Sequence, residues 1–485
     1  MENSIELRQV VYRVLLTQIH FGVYHYQEKL PTIEETSAQL CVSIDTARAA
    51  YLKLKEEGYI TLSKNAGATI NRNYSAQEIE EFIQTLFSSR KQAMLDLGNS
   101  IQPLLGNAQW YGLKNASPET LLEIEQLFHE THMAAPYAML NHLNQKYRAL
   151  GNPLLMRLVW QTFMFLHDPF FDIEENLSYF DQSADYLPKI LSICRNKDWP
   201  GLRAAVEQSI ERLSFILSRF YETRITMPSP EQELGFTWSS YEKSQQLCYS
   251  LAMELLISIN RGQYPVGSLL PSQKELAAQK GVSLSTVRRA LELLDSVGAI
   301  KSAKYIGTQV LPLDKTSENS DFTKPVLKRR LLSMAESLQM LALSCRDVSQ
   351  LTLAALAPGA HKQLCRKLND SKKWRRGETL SYYVLYLIGE LAPYQTIRTV
   401  YSELLRQFFW GYALRGMKGS QETLNAVYDP YFDALIEALE TMDFSLFSAT
   451  LEELAIDDLS RTVETLSRLG IPGVEHILIP EKSIS

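Results

Sequence analysis

The chain has 485 residues and a formal net charge of -6, from 49 Lys and Arg against 55 Asp and Glu, with 45% hydrophobic and 21% charged residues. That length exceeds what a single core supports and that composition is too apolar for disorder, so roughly three or four folded domains are expected. Five widely spaced cysteines (Cys41, Cys194, Cys248, Cys345, Cys365) with no C-x-x-C pair argue against a disulfide framework and a zinc finger. The opening "MENSIELRQVVYRV" lacks the apolar stretch of a signal peptide and no apolar run of about eighteen residues occurs, so a cytoplasmic protein with no membrane segment is expected.

Residues 1–74 contain Thr32 and Glu35 at capping-box spacing, then Ser43 as a second helix cap, and a glycine-bearing hairpin around Gly67. Two helices joined by a short turn and followed by a hairpin predict a winged helix-turn-helix. Residues 75–224 carry apolar residues at helical spacing in "SAQEIEEFIQTLFSSRKQAMLDLG" and "DWPGLRAAVEQSIERLSFILSRFYETR", which predicts a helical bundle. Residues 225–240, with "MPSPEQELGFTWSS", have linker composition. Residues 241–312 predict a second winged helix, residues 313–324 a second linker, and residues 325–485 a second helical bundle. The fold class is therefore mainly α: two winged helix-turn-helix domains, each followed by an all-α bundle.

The two predicted winged helices are copies. "CVSIDTARAAYLKLKEEGYI" (Cys41 to Ile60) and "GVSLSTVRRALELLDSVGAI" (Gly281 to Ile300) share eight of twenty residues at a constant offset of 240, including Ser43/Ser283, Thr46/Thr286, Arg48/Arg288 and Gly58/Gly298. The same offset pairs Thr32 with Ser272, Glu35 with Glu275 and Gly67 with Gly307. A duplicated domain accounts for this.

In the second copy Val287, Ala290, Leu291 and Leu294 form one apolar stripe, leaving Ser285, Arg288, Arg289 and Glu292 on the other face. Hydroxyls and guanidiniums at a helix start suit phosphates and guanine edges in the major groove of double-stranded DNA, with a wing along the adjacent backbone. Residues 241–312 carry eight basic residues against five acidic ones, and residues 4–73 eight against seven, so the basic excess sits mainly in the second copy. In the first copy Glu34 replaces Lys274, Asp45 replaces Ser285 and Ala49 replaces Arg289, which weakens attraction to phosphate. Either this copy reads a different half-site through Ser43, Thr46, Arg48, Lys64 and Gly67, or it is partly retired to packing.

The stretch "LPSQKELAAQKGVSLSTVRRALELLDSVGAIKSAKYIG" (Leu270 to Gly307) resembles the winged helix of the GntR family of bacterial transcription regulators. The resemblance rests on Gly267, Leu270, Pro271, Ser272, Glu275, Leu276, Ala277, Gly281, Val282, Ser283, Thr286, Val287, Arg288, Ala290, Leu291, Leu294, Gly298, Ile300 and Gly307. It implies DNA contacts by Lys274, Ser283, Thr286, Arg288 and Gly307, and Ser285, Arg289 and Lys304 join them as further candidates. Leu284 and Lys274 depart from the family, which favours Arg at both places. "YRALGNPLLMRLVWQ" resembles a helix start in FadR-like C-terminal domains of that family, and "LAPYQTIRTVYSELL" holds the corresponding place in the second half. That resemblance implies bundles that bind a small effector or mediate dimerisation, hence an effector-responsive repressor working as a homodimer.

Some such domains hold a metal. His129, His132 and His142, with His167 further on, are the candidate ligands here, but "FHETH" is not a zincin motif and the second half has no matching trio, so neither metal nor cofactor is expected. Trp110, Trp160, Phe163, Phe165, Phe408, Phe409 and Trp410 are core or pocket aromatics, and "KKWRRGE" (Lys372 to Glu378) is a basic turn, solvated or adding a phosphate contact. No P-loop and no G-x-S-x-G is present, so an enzyme is not expected. The rival reading is a non-catalytic sensor or interaction protein whose winged helices mediate association.

Overall fold

The computed structural model describes residues 3–63, 67–129, 135–173, 175–176, 186–238, 243–260, 262–303, 305–312 and 315–482. The chain divides into two compact units, Met1–Trp238 with Tyr394–Thr396, and Ser239–Pro393 with Ile397–Ser485. The fold is mainly helical, and the strands among the described residues form two two-stranded antiparallel sheets.

Each unit begins with the same three-helix head. In unit 1 a leading helix, Asn3–His20, precedes helices Ile33–Gln39 and Ile44–Glu56 and the strands Ile60–Ser63 and Gly67–Ile70. In unit 2 the leading helix is Lys243–Asn260, the next two are Gln273–Lys280 and Leu284–Ser296, and the strands are Ile300–Ala303 and Gly307–Val310. Every one of these elements starts at the same offset between the units. The hairpin registers agree too, Ile60 with Ile70 and Ile300 with Val310, as does an extra bridge to the segment before the second helix, Lys29 to Thr69 and Leu269 to Gln309.

Local chemistry explains the agreement. Both capping boxes form: Glu35 N donates to Thr32 Oγ1 at 3.1 Å and Thr32 N to Glu35 Oε2 at 2.7 Å. In the second copy Glu275 N to Ser272 Oγ is 3.3 Å and Ser272 N to Glu275 Oε2 is 2.8 Å. Ser43 and Ser283 cap the third helices by accepting from Thr46 N and Thr286 N, each cap being worth about 1 kcal/mol. The turn before the third helix needs a left-handed residue, which is Gly281 in unit 2 but Cys41, at φ 54°, in unit 1. The leading helices supply one wall of each head core through Val11, Leu15 and Ile19 and, at the same offset, Leu251, Leu255 and Ile259, all buried.

The bundle of unit 1 runs from the helix Ala76–Ser88 to the helix Trp199–Thr223. In the bundle of unit 2 the helix Pro325–Ala354 packs along Phe444–Arg468, where Ser349 Oγ donates to Ser448 Oγ at 2.8 Å and Arg346 pairs with the buried Glu452. The last long helix of each unit has 25 residues and an Asp cap, Asp198 or Asp443. A left-handed residue, Lys197 or Met442, stands just before that cap in both.

The stretches expected as linkers are not loose tethers over their described parts. Leu234 N donates to Ser89 O, Gln92 N to Glu233 Oε2, and Phe236 packs edge-on against Phe165, which ties residues 225–238 to the bundle of unit 1. In the second stretch Thr316–Asn319 is a short helix, and Thr316 Oγ1 donates to Tyr412 O at 2.6 Å. Polar groups in both stretches bond to the bundles. No helix of the described residues is long and apolar enough to cross a membrane.

Candidate nucleic-acid interface

In unit 2 the start of the third helix is open. Ser283, Leu284, Ser285, Arg288 and Arg289 are exposed, as are Lys274 on the preceding helix and Gly307 on the wing, while Thr286 is half-buried. Val287, Ala290, Leu291 and Leu294 are buried on the opposite side, so the amphipathic stripe fixes which face the guanidiniums take. Ser283 Oγ lies 2.8 Å from both Ser285 Oγ and Thr286 Oγ1, a hydroxyl cluster at the positive end of the helix dipole. Among the described residues neither Arg288 nor Arg289 has a hydrogen-bond or ion-pair partner. Two exposed cations, two exposed hydroxyls, a half-buried one and a helix N-terminus share one edge, a combination whose charge and donors suit an anion.

The wing of unit 2 ends in Tyr305, 94% exposed with φ 68°, and Ile306, also exposed. The sequence pattern marks Gly307 and misses this apolar tip, whose one sign is a tyrosine and an isoleucine inside a polar hairpin. Lys304 lies outside the described residues, as does Lys64 on the first wing.

The corresponding edge of unit 1 differs in chemistry on the same backbone. Ser43, Asp45, Arg48 and Gly67 are exposed, but Arg48 Nη1 binds Asp45 Oδ1 at 3.0 Å within the helix. Thr46 is only 3% exposed, which corrects its place among the candidate DNA contacts: its hydroxyl bonds to Ser43 Oγ at 2.8 Å and reinforces the cap. The turn before the helix is held by the bundle of its own unit. Trp160 Nε1 donates to Leu40 O at 2.7 Å, Asn144 Nδ2 lies 3.2 Å from Cys41 Sγ, and that sulfur lies 3.5 Å from Asn141 Oδ1. Leu140, Trp160, Phe163 and Met164 share one apolar cluster with Val11, Leu15, Ala50, Tyr51 and Leu54, so head and bundle of unit 1 have a continuous core.

The remaining candidates resolve in the same way. His142 is buried with Nε2 lacking a hydrogen-bond partner, and burial followed by the nearby Lys146 lowers its pKa to about 4. His132 and the side chains of His129 and His167 lie outside the described residues. Among those described, no cluster of three or more His, Cys, Asp or Glu side chains could hold a metal. Trp110, Trp160, Phe163, Phe409 and Trp410 are buried core, and Phe165 and Phe408 are half-buried. The basic turn is neutralised by acids: Lys372 pairs with Asp433, Lys373 with Asp370, Arg375 with Asp429 and Arg376 with Glu378.

Comparison with known proteins matches both heads. The sequence model of "Bacterial regulatory proteins, gntR family" matches residues 7–70 and again residues 249–310. A curated relative from Escherichia coli (strain K12), described as "Uncharacterized HTH-type transcriptional regulator YieP", is 40% identical over 86 residues, which are 18% of this chain and 34% of that protein. The chain thus spans about a third of the length of that relative. Among solved structures, Streptococcus agalactiae GntR is 18% identical and covers 44% of this chain and 99% of its own at a TM-score of 0.20. E. coli McbR/YncC is 19% identical and covers 44% and 98% at 0.23. At such scores these two likenesses carry no argument; the double sequence match does. Both heads thus match the gntR family of bacterial regulatory proteins, at residues 7–70 and at residues 249–310.

Proposed function

We propose that the chain is a sequence-specific, DNA-binding transcriptional regulator of the cytoplasm, with the head of unit 2 as its principal reader. The observation that carries this reading is the exposed start of helix Leu284–Ser296, where Arg288 and Arg289 stand without ion-pair partners beside the Ser283, Ser285 and Thr286 hydroxyls. Such an edge fits the major groove, hydroxyls on phosphates and guanidiniums on guanine O6 and N7, with Lys274 on the flanking phosphate and Gly307 letting the wing approach the backbone. The acidic whole-chain charge does not oppose this, because the field that matters is local.

The domain assignment that goes with it is residues 1–74 and 241–312 as readers and residues 75–224 and 325–485 as effector-binding or dimerisation bundles. Fusing two readers in one chain makes engagement of the second intramolecular once the first is bound. Effector-responsive repression by a homodimer is the regulatory form this organisation suits. The head of unit 1 is subordinate, since Asp45 and Glu34 stand where phosphates would lie and Asp45 ties up Arg48. These readings need no catalytic group.

The test is a gel-shift titration of the full chain on fragments of its own genome at rising salt. Affinity should fall steeply with salt, and selected fragments should share a motif. Unselective binding, or binding that R288A/R289A leaves intact, overturns the reading in favour of an association module.

A further inference from the structure

Unit 2 has a cleft of about 340 Å³ between its leading helix Lys243–Asn260 and the bundle helices Leu380–Leu391 and Gln395–Arg406. Small-molecule sites occupy about 300–1,000 Å³. Its walls are Tyr249, Met253 and Ile257 on one side and Tyr382, Tyr386 and Leu405 on the other. In unit 1 the junction of leading helix and bundle is filled by Trp160, Phe163 and Met164. The opening is a feature in which the second copy departs from the first.

The formal charges lining the cleft cancel, so their placement decides what it would hold. It is lined by two carboxylates, Glu254 and Glu390, and two guanidiniums, Arg398 and Arg406. Glu254 pairs with Lys280, Arg406 with the buried Glu403 at 2.5 Å, and Arg398 donates to Ala392 O just past the end of helix Leu380–Leu391. Glu390 has no ion-pair partner among the described residues, and it is exposed. It also sits in the last turn of that helix, where the dipole disfavours a carboxylate and favours a cation. Tyr382, Tyr386 and Glu390 follow at four-residue spacing on one helix face, and the two tyrosine rings are nearly parallel, with centroids 6.3 Å apart. Aromatic faces beside an uncompensated carboxylate attract an organic ammonium, the ring faces by their quadrupole and the carboxylate by charge.

We propose that this cleft binds a small organic cation with an apolar body, its ammonium at Glu390 and Tyr386 and its body along Met253, Ile257 and Leu405. Because one wall is the leading helix of the head and the other is the bundle, an occupant bridges the two parts of unit 2. Its role as the effector site rests on the regulatory reading above, whereas the binding itself does not depend on that reading.

The test is isothermal titration of the full chain, without DNA, using benzyltrimethylammonium as the cation and 3-phenylpropionate as an anion of similar size. The cation should bind saturably at one site per chain, E390Q and Y386A should each weaken it about tenfold or more, and the anion should give no saturable heat. Thermal melts of both variants matching the unmodified chain would show that they fold. Equal binding of the anion, absence of cation binding, or cation binding unchanged in folded E390Q would overturn the proposal. DNA binding is read separately, so failure of the cleft and failure of the DNA reading are distinguishable.

Discussion

The two heads are the same backbone carrying two different surfaces. Strand register, caps and helix starts coincide between them, because the residues that fix them face inward or bond to the main chain. The outward edge has drifted: Lys274, Ser285 and Arg289 in unit 2 are Glu34, Asp45 and Ala49 in unit 1. The way each head meets its own bundle has drifted too. In unit 1 a tryptophan indole and two asparagines grip the turn before the third helix. In unit 2 Tyr249 of the leading helix donates to Arg406 O, and the apolar junction leaves an open cleft. A duplicated domain keeps its core under packing constraint while its surface is free to specialise.

Disarming each head in turn sets the two surfaces against each other most directly. R288A/R289A should lower DNA affinity about 100- to 1,000-fold at physiological salt and relax the preference for guanine at the contacted positions, as expected for two lost base contacts. R48A should cost about threefold at most, since Arg48 must first leave an exposed ion pair with Asp45. Equal losses in gel shifts of the two variants would refute the ranking of the heads.

A pH titration should separate the units by stability. His142, in the bundle of unit 1, has a folded pKa of about 4 against 6.5 for the free side chain. Between those values the unfolded chain binds the extra proton, so stability is fully present above pH 6.5 and is lost as pH falls toward 4. A difference of that size corresponds to about 3 kcal/mol at most. Thermal melts of the chain at about pH 7 and about pH 4.5 should show the earliest transition moving down with acid, and H142Q should flatten that movement. If H142Q melts with the same pH dependence as the unmodified chain, His142 is not the group responsible.

Much of the fold is legible in the sequence, and the gaps have physical causes. The capping boxes, Ser43 and Ser283 as caps, and the stripe from Val287 to Leu294 are short-range chemistry, which sequence displays directly. The leading helices escape the repeat pattern, because only five of their eighteen positions agree (Ser4/Ser244, Leu7/Leu247, Leu15/Leu255, Leu16/Leu256, Ile19/Ile259) and a helix packed on several sides has no clean apolar stripe. The duplication of the last bundle helices is hidden for a similar reason: their likeness lies in length, an Asp cap and a left-handed residue. Thr46 holds the pattern position of Thr286, and packing alone distinguishes the buried hydroxyl from the half-buried one. The Glu390 cleft joins residues as far apart as Tyr249 and Arg406, which no local pattern reveals.

Restoring the first head tests whether its surface alone demotes it. E34K/D45S/A49R removes two acids from the edge and adds two bases, leaving Arg48 without its helix partner. At about 0.5 kcal/mol per charge facing a screened phosphate backbone, the effect is roughly 1–2 kcal/mol, or about five- to thirtyfold in affinity. Measured in the R288A/R289A background, recovery of DNA binding would place the difference in those side chains. Failure to recover would place it in the grip of Trp160, Asn141 and Asn144 on the turn.

The smallest effect concerns that turn itself. Cys41 holds φ 54° where Gly281 holds φ 63°, and a side chain in the left-handed region costs about 1 kcal/mol relative to glycine. C41G relieves this strain but forfeits the sulfur contacts to Asn141 and Asn144 and adds backbone freedom to the unfolded chain. The net gain in unit 1 should therefore be below about 0.5 kcal/mol. G281A, with no such contact to lose and nothing within 4 Å of the added Cβ, should destabilise unit 2 by about 1 kcal/mol through backbone conformation alone. Denaturant melts of the two variants should thus move in opposite directions or leave C41G nearly still. A C41G loss as large as that of G281A would mean that the sulfur contacts outweigh the strain, and that the bundle, rather than the turn's own conformation, sets the first head in place.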